Sequence, residues 1–314
     1  MYKRFFGLRE NPFNVNPDPR YLFLTRHAEE ALACLKYGVE NRRGFILLTG
    51  EVGTGKTTLI NKLLDHLHRQ RVSTAFVFNP RLSVAQFLDF MMADFGIPME
   101  GTAPGTSKSQ TLIKLNQWLL ERYGRGETAV LIIDEAQNLS SQVLEEIRLL
   151  TNLETATDKL LQIVLSGQPE LEAKLARPEL RQLKQRITLR SKTHPLTREE
   201  TEGYVIERLR IAGAAEPASI FSKEAIEQLS AYSQGIPRVV NLLCEHALIG
   251  AFVDQAKPIS GSMIDEVARE FELDKYEEVA PVTRVRGDGE NAQLMDALQH
   301  LTTLVDRIRT REES

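Results

Sequence analysis

The sequence predicts an α/β protein: a parallel sheet covered by helices on both faces, followed by a small α-helical domain. Three observations predict it. Short apolar runs alternate with helical stretches through the first part of the chain, one of those runs opens into a glycine-rich loop and then a helix, and beyond Leu196 only helical periods remain. Runs this apolar on both faces, each separated by helices, belong to buried parallel strands.

The elements follow in order. Ala28, Leu32, Leu35 and Val39 recur at spacings of three and four, so residues 25–40 read as a helix with one buried face. Residues 44–49 (GFILLT) are a short apolar run, glycines follow, and residues 56–69 resume the helical period with Leu59, Leu63, Leu64 and Leu67. The alternation continues with strands at 74–78, 129–133 and 161–165 and helices at 84–95, 112–122 and 144–153. The stretch between Gly96 and Ser109 is rich in turn formers and reads as a surface loop. Helices are then expected at 199–211, 223–232, 238–252 and 262–271, with Ser222 and Pro237 at two of their starts. Residues 274–290 lack any period and read as a linker. The final stretch, 291–314, carries a heptad seam of Leu294, Leu298, Leu301, Val305 and Ile308, which marks an amphipathic docking or pairing helix. The expected organisation is thus a nucleotide-binding α/β domain over 1–195, a helical lid over 196–273, the linker and the last helix.

Composition narrows the function classes. At 314 residues, 42% hydrophobic and 26% charged, the chain lies within the ordinary range of globular proteins. Its two cysteines, Cys34 and Cys244, sit among apolar residues of helical period and read as buried free thiols, which suits a reducing compartment. Neither a signal sequence nor a membrane-spanning run is visible, so the expectation is a cytoplasmic protein, peripheral to the inner membrane only through a partner. A net charge of −4 speaks against a strongly electrostatic nucleic-acid binder. A local basic run of Arg177, Arg181, Lys184, Arg186, Arg190 and Lys192 leaves DNA, a neighbouring subunit or plain solvent as its counterpart. His66 and His68, two apart on a helix, cannot share a face, and no Cys/His cluster has zinc spacing.

The chemistry lies in Gly50-Glu51-Val52-Gly53-Thr54-Gly55-Lys56-Thr57, followed by Thr58, which fits the phosphate-binding loop G-x-x-x-x-G-K-[ST]. Leaving an apolar strand and opening a helix, it points backbone N–H groups and a helix N-terminus at one spot, where a polyphosphate fits. Glycines let the backbone curl without a Cβ in the way, Lys56 supplies a point charge for the β and γ oxygens, and Thr57 offers a hydroxyl to Mg²⁺. A second apolar strand, residues 129–133, ends in Asp134 and Glu135, the Walker B pattern. Asp134 would hold the metal and Glu135 would take a proton from an attacking water. ATP and Mg²⁺ are therefore the expected ligands.

With these motifs in place the chain resembles the AAA+ ATPases, and within them the ExeA-like or general secretion pathway protein A group, close to the TnsC and TniB ATPases. The resemblance covers roughly residues 1–273. It rests on FFGLRENPFNVNPDPRYLFLTRHAEEALACLKYGV, GEVGTGKTT, LIIDEAQNL, LSGQPEL, LRQLKQRI and GIPRVVNLLCEHAL. It implies a polar sensor after the fourth strand, Gln168 or Ser166, and an arginine finger offered to the neighbouring subunit's nucleotide, Arg186 with Arg181 as its rival. It also implies that Arg238 is a second sensor reaching from the lid to the phosphates, and that residues 11–21 lie near the base, where Pro12 and Phe13 can pack. A homo-oligomer follows from a finger acting in trans. As partner the resemblance implies a bacterial secretion, pilus or exopolysaccharide apparatus. The alternative is a DNA-transposition regulator of the TnsC or TniB kind. Larger members of the group carry a membrane span and a peptidoglycan-binding domain after the ATPase.

Overall fold

The computed structural model describes residues 1–14, 16–78, 81–98 and 108–274. The helix expected at 291–314, nearly all of the linker before it and most of the turn-rich stretch after Gly96 lie outside the described residues. In chain order the first elements are α1 (Tyr2–Phe6), α2 (Arg26–Glu40), β1 (Phe45–Thr49), α3 (Lys56–Leu67), β2 (Val72–Val77), α4 (Val84–Asp94) and α5 (Lys108–Gly124). Then come β3 (Thr128–Ile133), α6 (Ser141–Leu150), β4 (Leu161–Gly167), α7 (Pro169–Leu175), α8 (Arg181–Arg186) and β5 (Leu189–Lys192). The chain continues in helices only, α9 (Arg198–Ile211), α10 (Lys223–Ser233), α11 (Pro237–Val253) and α12 (Gly261–Glu270). Several starts are written in side chains. Thr25, Ser83, Ser140, Thr197 and Ser222 each accept a backbone N–H three residues on, and Ser83 and Thr197 complete capping boxes with Gln86 and Glu200.

The five strands form one parallel sheet in the order β2-β3-β4-β1-β5. Alternate residues of each central strand feed opposite faces. Phe45, Leu47, Leu131, Ile133, Ile163 and Leu165 pack under α4–α8, whereas Ile46, Leu48, Val130, Ile132 and Val164 pack against α2 and α3. Burial on both sides is what made β1, β3 and β4 legible as unbroken apolar runs. β5 was not: its LRSK sequence alternates half-buried and exposed residues on the sheet edge, and Arg190 and Lys192 look like part of a charge run. The helices after Leu196 have their own apolar cluster, built on Val205, Leu209, Leu229, Leu243 and Leu248. Tyr2, Phe6, Leu8 and Phe13 belong to that cluster too, so the N-terminal segment packs with the helices rather than with the sheet that follows it in sequence. Both cysteines are free; Cys244 is buried as expected, but Cys34 is only half-buried, because α2 covers the sheet where it ends at edge strand β5. No helix among the described residues is long and apolar enough to cross a membrane.

Candidate functional site

Parallel strands bring their C-terminal ends to one edge of the sheet, and the register decides which residues meet there. Thr49 stands beside Gly167 and Leu48 beside Ser166, while Ile133 pairs with Leu165. The residue after Ile133, Asp134, therefore arrives next to Ser166, whose hydroxyl donates to Asp134 Oδ1 at 2.7 Å. The other carboxylate oxygen accepts from the Thr57 hydroxyl at 2.8 Å. The two oxygen groups named from the sequence as metal ligands are thus in direct contact. Hard oxygen donors of this kind, one from the loop and one from a strand tip, suit Mg²⁺, which keeps its remaining positions for water and phosphate oxygens. No group of three or more His, Cys, Asp or Glu residues that could hold a metal ion occurs among the described residues.

The loop between β1 and α3 is shaped by its glycines. Gly53 has φ 81°, and a Cβ on it would come within 2.7 Å of the Arg238 Cβ; Gly55, at φ 92°, caps α3. A Cβ on Gly50 would lie 2.0 Å from the Thr193 hydroxyl. These are close approaches and turns that a larger residue would block. Lys56, buried, donates its ammonium to the carbonyls of Gly50 and Glu51, both at 2.9 Å, so the charge stands inside the curl. Burial lowers its pKa, and the carboxylates of Glu135 and Asp134 oppose that shift. Thr54 donates to the Glu51 carbonyl and sits 2.6 Å from the Thr193 hydroxyl, which fastens the loop to the segment after β5.

Glu135 follows Asp134 in a left-handed conformation, φ 52° and ψ 35°. Such a conformation costs a non-glycine residue about 1–3 kcal/mol, and it persists where surrounding contacts hold it. Here the contacts are two amides: Gln137 Nε2 at 2.6 Å and Gln168 Nε2 at 3.1 Å both donate to Glu135 Oε2. Gln137 Oε1 also accepts the backbone N–H of Gln168. The two polar residues left open after the fourth strand thus attend to different acids, Ser166 to Asp134 and Gln168 to Glu135.

Around the loop lies a cleft of about 330 Å³. It is lined by Val52, residues 53–58, Glu135 and Arg238, and also by Asn14, Asp18, Tyr21, Tyr204, Arg208 and Asn241. The start of α11 touches the loop directly, with the Arg238 N–H donating to the Gly53 carbonyl at 3.3 Å. Residues 11–21 do reach the cleft, but through Asn14, Asn16, Pro17, Asp18 and Tyr21; Pro12 and Phe13 do not line it. Phe13 is buried edge-on against Phe221 in the helical cluster. Arg186 and Arg181 are exposed on α8 and do not line the cleft of their own chain, nor do the other members of the basic run. His194, read as a loop residue, stands at the cleft with its ring 4.7 Å from that of His27. Sequence reasoning missed Gln137, Thr193, Tyr204, Arg208 and Asn241. Gln137 lies inside the LIIDEAQNL stretch and had a local signal; the others come from distant helices and a loop, and only packing brings them here.

Comparison with known proteins agrees with this geometry. Residues 39–175 match the family described as AAA domain. General secretion pathway protein A of Aeromonas hydrophila is 46% identical over 252 residues, 80% of this chain, and the chain spans 45% of that relative's length. Among solved structures, the ORC2 protein of Aeropyrum pernix superposes with a TM-score of 0.61 at 16% identity, covering 85% of this chain and 73% of that one. Cdc6p of Pyrobaculum aerophilum gives 0.62 at 19% identity, covering 85% and 70%. At such identities these two likenesses concern the fold.

Proposed function

This chain is an AAA ATPase related to general secretion pathway protein A, and we propose that it binds and hydrolyses Mg-ATP as an oligomer, using the cycle to drive or regulate assembly of a bacterial envelope secretion, pilus or exopolysaccharide system. The observation that carries the reading is the meeting of a glycine-walled loop with two strand-end acids: Lys56 inside the loop, Thr57 on Asp134, Glu135 beside them. Backbone N–H groups of the loop and the N-terminus of α3 receive the phosphates, and Lys56 balances their charge. Mg²⁺, when bound, would supply charge neutralisation to the phosphates. Thr57 and Asp134 are the residues that would hold it. Glu135, oriented through one oxygen by Gln137 and Gln168, takes the proton of the attacking water. Arg238, whose helix already contacts Gly53, reports phosphate occupancy to the helical lid, and Arg186 acts on the nucleotide of a neighbouring copy. The secretion role is supported by the 46% identity to a protein of that name, of which this chain spans less than half.

The test is Glu135→Gln. It should retain ATP binding and lose phosphate release by at least about a hundred-fold, the span of a lost general base. Turnover at the wild-type rate would remove the hydrolytic assignment. A pull-down from native cells with ATP-locked Glu135→Gln protein then identifies the client: envelope assembly proteins support the reading, and transposition proteins or DNA would replace it.

A further inference from the structure

Arg208 is the buried charge that the proposed cycle does not use. It lies on α9, is 6% exposed, and has no carboxylate in ion-pair range among the described residues. Burying a guanidinium without a counter-charge is costly unless its donors are satisfied. Here they are. Nε donates to the Pro12 carbonyl at 2.5 Å, Nη1 to the Tyr204 hydroxyl at 3.0 Å and Nη2 to the Asn14 carbonyl at 3.5 Å. The guanidinium also stands 4.5 Å from the centre of the Tyr21 ring and 5.3 Å from that of Tyr204. Tyr204 in turn donates to Asn241 Oδ1 at 2.8 Å, on the helix whose first turn docks on Gly53.

From α9, Arg208 meets the N-terminal strap (residues 12–14 and 16–21) directly and α11 through Tyr204. Asn14, Tyr21, Tyr204, Arg208 and Asn241 all line the same cleft as the phosphate loop. A ligand whose phosphates occupy the loop has these residues of the lining left to receive its nucleoside. We propose that Arg208 is the positioning residue of the base-binding end of the cleft, clamping the strap to the lid so that the two together form the pocket for a nucleoside base. The proposal rests on the nucleotide reading above and deepens it. Only a planar fork of five donors reaches two backbone carbonyls and a hydroxyl at once, so a lysine of equal charge does not substitute. The amides of Asn14, Asn16 and Asn241 offer both donors and acceptors to the edge of a heterocycle held there. Because α11 also carries Arg238, occupation of the base pocket bears on the same helix that contacts the phosphate loop.

The distinguishing experiment compares ATP with inorganic tripolyphosphate, which has the phosphates without the base, by titration calorimetry on the full chain. In Arg208→Lys, ATP affinity should fall roughly ten-fold or more, the effect of losing one or two buried hydrogen bonds, while tripolyphosphate affinity stays within about two-fold of wild type. Tyr204→Phe, which deletes only the linking hydroxyl, should show the same selective loss at roughly three-fold or more, and serves if Arg208→Lys does not fold. ATP affinity unchanged in the folded variants, or equal losses for both ligands, overturns the proposal. A wild-type chain that binds neither ligand removes the nucleotide reading itself, a different result from equal losses in the variants.

Discussion

Lys56 and Glu135, the residues proposed to carry the chemistry, are both held against a cost. Glu135 adopts a left-handed backbone that non-glycine residues seldom take, and two amides hold its Oε2. Lys56 is taken out of water, which favours its neutral form and lowers its pKa, while Glu135, Asp134 and Glu51 oppose the shift. The sign follows directly. A lysine with a lowered pKa keeps its ammonium below that value and loses it at a lower pH than an exposed lysine. If the ammonium faces the phosphates, ATP affinity should be flat near neutrality and fall as pH rises through the lowered pKa, below about 10.4, the ordinary value. Fluorescent-nucleotide titration across that range tests it: Lys56→Met should bind weakly throughout and show no such limb, and a wild-type affinity flat beyond the ordinary lysine value would refute it. At this scale the phosphate loop and the two acids were readable because each motif is contiguous. Gln137 and Arg208 were not recognised, since a glutamine or arginine gains its meaning only from the group it faces.

Among the elements, α9 links stability to the site. Its start is a capping box in which Thr197 accepts the Glu200 N–H and Glu200 returns to the Thr197 N–H, and farther along it presents Tyr204 and Arg208 to the cleft. Thr197→Ala should cost about 1 kcal/mol of stability in urea unfolding, the usual worth of such a cap. ATP affinity should stay close to wild type, because the cap lies more than a turn away from Tyr204; a parallel collapse of binding would show that the start of α9 itself shapes the cleft. Helices with caps and one apolar face were legible to within a few residues, as 223–232 against Lys223–Ser233 illustrates. β5 was not, since an edge strand paired only with β1 needs no apolar outer face and its sequence carries no strand pattern. The short helices α1, α7 and α8 escaped for a related reason: five to seven residues are too few to show a period.

For the molecule as a whole, the placement of Arg186 raises a question of assembly. It is exposed on α8 and outside the cleft of its own chain, as a residue serving a neighbouring copy must be. If it does so, ATP turnover per chain should rise with protein concentration, and Arg186→Ala should abolish that rise and lower the saturated rate by roughly a thousand-fold, the typical worth of such a finger. Turnover independent of concentration in both proteins would exclude a trans role; Arg181→Ala is the matched comparison. Strands β1–β4, the glycine loop and the acids at the tip of β3 were determined by the sequence alone, because hydrophobic period and contiguous motifs are local properties that hold in any context. Which residues face one another across the cleft was decided only by tertiary structure. Strand register set Asp134 against Ser166, and burial of Phe6, Leu8 and Phe13 drew the N-terminal strap onto the C-terminal helices, carrying Asn14 and Tyr21 to Arg208. Contacts between segments nearly two hundred residues apart leave no trace in local pattern, since the free energy that selects them comes from apolar area buried by the folded whole.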